Sequence, residues 1–324
     1  MTATPLTFGT FIPQGWKGEF VGIADPQAQW QTTVDLAVLA EELGFDSVWV
    51  YDHFHNVPRP IHSTVFECWT VMAAISQRTS RIRLGQMVSC NAYRHPSVVA
   101  KITSTIDVIS GGRLDLGIGA GWYEHEYKGY GFNFAAPKER IGMLKESVEI
   151  IKSMWTQPDT TYGGKYYQLD GAQCDPKPLQ QPTPPIWIGG GGEQLTLRVV
   201  ARHGNWANFG GGAPYEVFEN KSRLLAEHCA AVGRDFDEIG RSVSGDIFIR
   251  ETETELKAAG TKSLTGQPFD EWAAGHFVGT PEQVVEKMQG YIDRGARGFV
   301  PWCADFPDTE TLHLYAKVMR QLRG

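Results

Sequence analysis

The feature that most constrains this chain is an alternation. Short, continuous apolar runs of strand length alternate with longer amphipathic stretches that end in a helix stop, about eight times over 324 residues. LTFGTFI (6–12) reads as a strand and QWQTTVDLAVLAEELGF (29–45) as a helix. The helix buries Leu36, Leu39, Ala40 and Leu43 on one face and stops at Gly44. DSVWVYD, IRLGQMVSC, RLDLGIGAG, PIWIGGGG, NWANFG, SVSGDIFI and GFVPWC supply seven further strands. Helical patterns lie between them: ECWTVMAAISQRT, PSVVAKITSTIDVISGG, APKERIGMLKESVEIIKSMW, EQLTLRVVARHG, YEVFENKSRLLAEHCAAVG and TPEQVVEKMQGYIDRGA. The last carries a capping box, Thr280 to Gln283, with Pro281 at its first position. DTETLHLYAKVMRQL closes the chain. Parallel neighbours need a crossover, so strand followed by helix implies a parallel sheet. Eight units at this length predict a single (β/α)8 TIM barrel over 1–324, with insertions at about 157–184 and 251–276. The first insertion is rich in Gly, Pro and Gln and has room for a small hairpin.

Composition removes several function classes. A net charge of -7 disfavours nucleic acid and anionic membranes as partners. No apolar run is long enough to cross a bilayer, and no signal peptide is evident at the N-terminus. The five cysteines are scattered, with no C-x-x-C spacing, and read as reduced thiols of a cytoplasmic protein.

In such a barrel the C-terminal ends of the strands share one face, where active sites are built. Those ends read Asp52-His53-Phe54, then Gln86 to Cys90, then Gly119-Ala120-Gly121-Trp122, then Gly189, Gly190, Gly191 and Gly192, then Asn208 and Trp302. Glycines, polar groups and aromatics concentrate there, as a cleft for a flat, anion-bearing ligand requires. Phe11, Trp16, Phe54, Trp122, Tyr123 and Trp302 are the aromatic residues near this mouth, and some must simply be core. The glycine run before a helix lets backbone approach a phosphate; a tight turn is the plainer explanation, though four glycines exceed its needs. GIGAG only loosely matches a dinucleotide fingerprint and lacks its context. His53 is assigned to proton transfer. Asp52 points to the opposite side of its strand and need not touch it. His53 and His55 also form a possible metal pair of the hydrolase-barrel kind. The later strand ends, however, offer glycine and asparagine, with Asp246 the one obvious carboxylate, so no metal site is assigned.

The segments ELGFDSVWVYDHF, TSRIRLGQMVSCNAYRHPSVVAK, ISGGRLDLGIGAGWYEHEYKGYG, PIWIGGGGE and VGTPEQVVEKM together resemble the luciferase-like monooxygenase superfamily. GAGWYEHEY is closer to its branch of oxidoreductases that use coenzyme F420, a deazaflavin, than to the FMN-dependent sulfonate and alkane monooxygenases. The resemblance covers nearly the whole chain. It implies hydride transfer between F420 and a small organic substrate, usually in a homodimer, with His53 as acid/base beside the ring. It places Asp52, Ser89 and a strand-three bulge at Gln86 and Met87 against the ring. Gly121, Trp122 and His125 become loop contacts, and Gly190, Gly191 and Gly192 the phosphate cradle. Lys17, Arg140 and Arg198 are candidates for the cofactor's acidic tail. One departure stands out: the sugar-phosphate dehydrogenases of this branch carry glutamate where this chain has Trp122, which argues against their substrate. The insertion at 251–276 follows strand seven and is expected to overhang the mouth as a lid. The rival readings are an FMN-dependent monooxygenase, a metal-dependent hydrolase and a non-catalytic flavin binder.

Overall fold

The computed structural model describes residues 5–211 and 214–324. The N-terminal reading therefore falls partly on residues 1–4, outside the described part. In chain order the elements are β1 (Thr7–Phe11), α1 (Pro26–Leu43), β2 (Ser47–Val50), α2 (Cys68–Ser76), β3 (Arg83–Gln86), β4 (Ser89–Cys90), α3 (Pro96–Ser110) and β5 (Leu114–Gly119). Next come α4 (Glu124–Gly129), α5 (Pro137–Thr156), the antiparallel hairpin β6 (Asp159–Gly163) and β7 (Gln168–Gln173), β8 (Ile186–Gly189), α6 (Thr196–His203) and β9 (Trp206–Gly211). The chain finishes with α7 (Tyr215–Val232), β10 (Gly240–Ile249), α8 (Glu253–Ala259), α9 (Phe269–Gly275), β11 (Phe277–Gly279), α10 (Pro281–Asp293), β12 (Gly298–Cys303) and α11 (Glu310–Arg323).

Eight parallel strands close on themselves in the order β1-β2-β3-β5-β8-β9-β10-β12. Thr7 pairs with Gly298 at one seam and Gly240 with Trp206 at another. β4 continues the third stave against β5. Every strand predicted from the sequence is present. The helix stops also hold: Gly44 and Gly111 adopt the left-handed conformation, and Thr280 and Gln283 complete their reciprocal cap.

Three indoles fill part of the barrel interior. Trp49 of β2 meets Trp187 of β8 edge to face at 4.7 Å, and Trp187 stacks on Trp206 at 4.3 Å. β2 and β8 are not neighbours, so that contact runs through the interior. Bare backbone makes room for it. A Cβ on Gly85 would lie 2.3 Å from the Trp49 ring, and one on Gly240 2.3 Å from the Trp206 ring. Close packing leaves no slack for such atoms.

Two differences from the sequence reading concern local structure. α6 begins at Thr196, three residues later than predicted, because Glu193, Gln194 and Leu195 form a turn first. The segment 251–276 contains α8 and α9, and it leads into β11, which adds to β10 outside the barrel. Phe248, Leu256, Trp272 and Val278 pack together as a small separate core there. Among the described residues no helix is long and apolar enough to cross a membrane, and all five cysteines are free and buried.

Candidate active site

A cavity of about 600 Å³ opens at the C-terminal ends of the staves. His53, Asp52, Met87, Gly121, Trp122, Gly190 and Gly192 all line it. The histidine after β2 and the glycines at the end of β8 thus share one hollow.

The residue that organises His53 comes from a helix the sequence reading did not contain. In α4, Glu124 and Lys128 pair across one turn on the solvent side at 2.8 Å. Glu126 and Tyr127 are buried in the same turn. Tyr127 is held by the Cys90 thiol at 3.1 Å and donates to the Ala120 carbonyl. Glu126, fully buried, accepts four hydrogen bonds. Nδ1 of His53 and the Tyr93 hydroxyl reach Oε2, each at 2.7 Å. The Phe54 and His55 amides donate to Oε1 at 2.7 and 2.8 Å. Burial opposes the charge on Glu126, but the His53 contact, the His55 amide and the Tyr93 hydroxyl outweigh it, so its carboxyl lies below the ordinary 4.5. An ionised, acceptor-only carboxylate requires the His53 proton on Nδ1. That leaves the lone pair of a neutral ring on Nε2. The ring is held flat against Trp16, with centroids 4.3 Å apart, and edge-on to Trp122 at 5.7 Å. Glu124 and Glu126 both follow Trp122 closely in the sequence, which does not by itself place either in the site. The available clue was the Glu124–Lys128 spacing, which uses up the outward face.

Asp52 lines the cavity but is committed elsewhere. Arg94 grips both its oxygens, at 2.7 and 3.1 Å, while the Ser89 hydroxyl and the Cys90 amide donate to Oδ2. Ser89 therefore acts on Asp52 and is not part of the cavity wall. Asp52, Glu67 and Cys68 lie close enough to offer a metal three ligands. The Arg94 guanidinium already occupies that position, with 2.6 Å to Glu67. His53 and His55 do not converge either, since His55 turns to His125, Nδ1 to Nδ1 at 2.9 Å. His125 faces His55 and does not line the cavity. Gln86 is buried with both amide atoms unpartnered, away from the cavity wall. A non-proline cis peptide lies between Met87 and Val88, one residue beyond the bulge expected at Gln86 and Met87.

The glycine run has mixed reasons. A Cβ on Gly189 would meet Val88 at 2.7 Å, one on Gly192 would meet Thr196 at 2.8 Å, and one on Gly191 would approach Lys221 Nζ at 3.1 Å. Gly191 is not on the cavity wall. Gly210, at φ +83°, does line the cavity, and a side chain there would enter open space. GIGAG is explained by packing: a Cβ on Gly117 would sit 1.6 Å from the Gln86 carbonyl oxygen. Arg140 also lines the cavity, buried, with its Nε unpartnered. Lys17 is on the wall as well, whereas Arg198 is exposed on α6 and away from it. Of the aromatics named from sequence, Phe11, Trp16 and Trp122 line the cavity. Phe54 packs against Tyr93, Tyr123 stacks on Trp122, and Trp302 is buried under Lys17.

The model of the family described as "Luciferase-like monooxygenase" matches residues 6–271. The chain belongs to the luciferase-like monooxygenase family. A relative from Nocardia farcinica, an F420-dependent glucose-6-phosphate dehydrogenase, is 32% identical over 295 residues, covering 82% of this chain and 86% of its own. Two solved structures share the fold of this family member. An F420-dependent secondary alcohol dehydrogenase with an F420-acetone adduct has a TM-score of 0.82 at 18% identity, covering 99% of this chain and all of its own. The coenzyme F420-dependent tetrahydromethanopterin reductase from Methanopyrus kandleri has a TM-score of 0.80 at 20% identity, covering 98% and 99%.

Proposed function

We propose that this chain is an F420-dependent oxidoreductase that moves a hydride between the deazaflavin and a small organic substrate. The carrying observation is that the His53–Glu126 dyad and a glycine-lined edge open onto one cavity. The residues fit the cofactor. Bare backbone at Gly190, Gly192 and Gly210 can lie against a flat ring or its phosphate, and the unpartnered Arg140 Nε is a donor for an anion. When bound, F420 supplies a hydride acceptor in its oxidised form and a hydride donor in its reduced form.

This chain handles the proton that balances the hydride. In the oxidative direction, His53 Nε2 takes the proton of the substrate hydroxyl, and the Glu126 carboxylate stabilises the imidazolium that forms. In the reductive direction the same nitrogen returns the proton to the carbonyl oxygen. Trp16, stacked on the imidazole, and Trp122, edge-on to it, keep the ring in place. Asp52, Ser89 and Arg94 support the second and third strand ends without touching the reacting atoms. We further read the chain as a single catalytic domain of a cytoplasmic homodimer, the association the family resemblance implies.

The family name keeps one rival in play, an FMN-dependent monooxygenase. Titrating the apoprotein with F420 and with FMN separates the two. Tight F420 binding with F420-linked turnover is expected. Tight FMN binding with oxygen-dependent turnover and no F420 affinity overturns the reading.

A further inference from the structure

The cavity has a second polar wall that the His53 chemistry does not use. Lys17, on the loop after β1, places Nζ 2.9 Å from Asp246 Oδ1 and 4.2 Å from the centroid of a Trp302 ring. Asp246, from β10, accepts the indole N–H of Trp272 on Oδ2 at 2.9 Å. Its own amide donates to His276 Nδ1 at 3.0 Å, so a neutral His276 carries its proton on Nε2. Tyr51 lines the same cavity, and its hydroxyl has no hydrogen-bond partner among the described residues. Trp16 also lines it, with a buried and unpartnered Nε1. The rings of His53, Trp16 and Tyr51 follow one another at 4.3 Å (stacked) and 4.1 Å (tilted), so this wall stands two ring contacts from His53. Trp272 and His276 come from the insertion after β10, which therefore contributes to the site through Asp246.

Charge decides what such a wall can hold. Burial opposes ionisation of Asp246, but Lys17, the Trp272 indole and His276 keep its carboxyl below the ordinary 3.8. The Lys17 ammonium is therefore balanced in place by the Asp246 carboxylate. Burial keeps His276 below its ordinary 6.5, so it adds no charge at neutral pH. Glu19, behind Lys17 and accepting its amide, is pushed upward by burial; neutral or ionised, it supplies no positive charge. Among the described lining residues, Arg140 alone is a cation without a carboxylate partner, and it belongs to α5, between β5 and β8, whereas Lys17 follows β1 and Asp246 is in β10, several staves away in the barrel order. A phosphate ester at the Lys17 wall would be desolvated beside Asp246 with no net positive charge to meet it. A hydroxyl, which both donates and accepts, would find the Asp246 oxygens, the Lys17 ammonium, His276 Nε2–H and the Tyr51 hydroxyl together.

We propose that Lys17, Asp246, His276 and Tyr51 hold the distal oxygens of an uncharged, polyhydroxylated substrate while His53 serves its reacting carbinol, and that the internal ion pair rejects phosphate esters. This rests on the F420 reading above. The substrate class thereby differs from that named for the Nocardia farcinica relative. In oxidation the carbinol C–H bond breaks with both electrons leaving as hydride to oxidised F420. The O–H proton passes to His53 Nε2, and the O–H electrons form the carbonyl.

The test uses protein whose F420 binding has first been measured by titration, so failure of the cofactor reading is seen separately. Initial rates are compared for D-glucose, D-xylose and glycerol against D-glucose 6-phosphate, and inorganic phosphate is titrated as an inhibitor. The wild type should prefer at least one neutral polyol over the phosphate ester by tenfold or more in kcat/KM and should resist phosphate. Asp246→Asn, which unmasks Lys17, should bind inorganic phosphate at least tenfold more tightly while F420 affinity is kept. The double variant Lys17→Met with Asp246→Asn should lose that gain. Wild-type preference for the phosphate ester overturns the proposal. So does an inert polyol panel with F420 bound, or equal phosphate affinity in the wild type and Asp246→Asn.

Discussion

At the scale of single residues, the site turns on Glu126. The Phe54 and His55 amides can only donate to it, and its lowered pKa keeps it an ionised acceptor, a condition that fixes the His53 tautomer. Glu126→Gln keeps the shape and puts an amide N–H against one of those donors. Turnover should fall about 10²–10⁴-fold, the usual range for disturbing a positioned acid/base. F420 affinity should stay close to wild type, as read by parallel titration. An unchanged rate would remove the dyad from the chemistry. His53 itself was legible from sequence because it ends a buried strand. Glu126 was not, because its partner lies 73 positions away. Trp122 is largely exposed at the rim, where it meets His53 in an edge-to-face contact. The carboxylate at His53 comes from the next turn of chain, at Glu126.

Elements are tied together by side chains that bridge them. Glu41, near the end of α1, accepts from the Ser80, Arg81 and Ile82 amides that lead into β3, and from the Ser80 hydroxyl. Burial works against its charge, but those amides and the hydroxyl win and bring its carboxyl from 4.5 down to about 2. A depressed folded-state pKa stabilises the fold above the unfolded value and loses that effect as pH falls through the folded one. Glu41→Gln should therefore cost about 1–2 kcal/mol at neutral pH, after discounting for solvent screening. The gap from wild type in denaturant unfolding should close as pH falls from 4.5 towards about 2. A gap independent of pH would assign the loss to packing instead. The insertion is anchored in the same manner. Lys287 of α10 donates to the Ala273, His276 and Val278 carbonyls, which pins the end of α9 and holds His276 at the cavity.

For the molecule as a whole, the cavity exists only while the barrel is closed, since its wall is drawn from strands far apart in sequence. A ligand that needs the closed form stabilises it by mass action. F420 at a hundred times its dissociation constant should add about 2.7 kcal/mol, or about 4 °C in Tm for a chain of this size. Thermal unfolding with and without F420 checks this. No shift at saturating F420 would mean that the cavity is not its site. Closure also explains the strand glycines. Gly9, Gly85 and Gly240 leave space for Trp49 and Trp206, and Gly117 clears the Gln86 carbonyl. These positions look alike in sequence to the cavity glycines Gly190 and Gly210, yet they answer to core volume.

The sequence by itself determined the barrel, its eight staves and the rim that carries His53, Gly121, Trp122 and the glycine run. Those are written in local periodicity and in helix stops, which neighbours along the chain decide. Only the tertiary structure decided which polar groups meet. Asp52 goes to Arg94, Glu126 to His53, His55 to His125, and Lys17 to Asp246. Buried polar groups take whichever partner the closed barrel brings within reach, and sequence spacing does not record that choice.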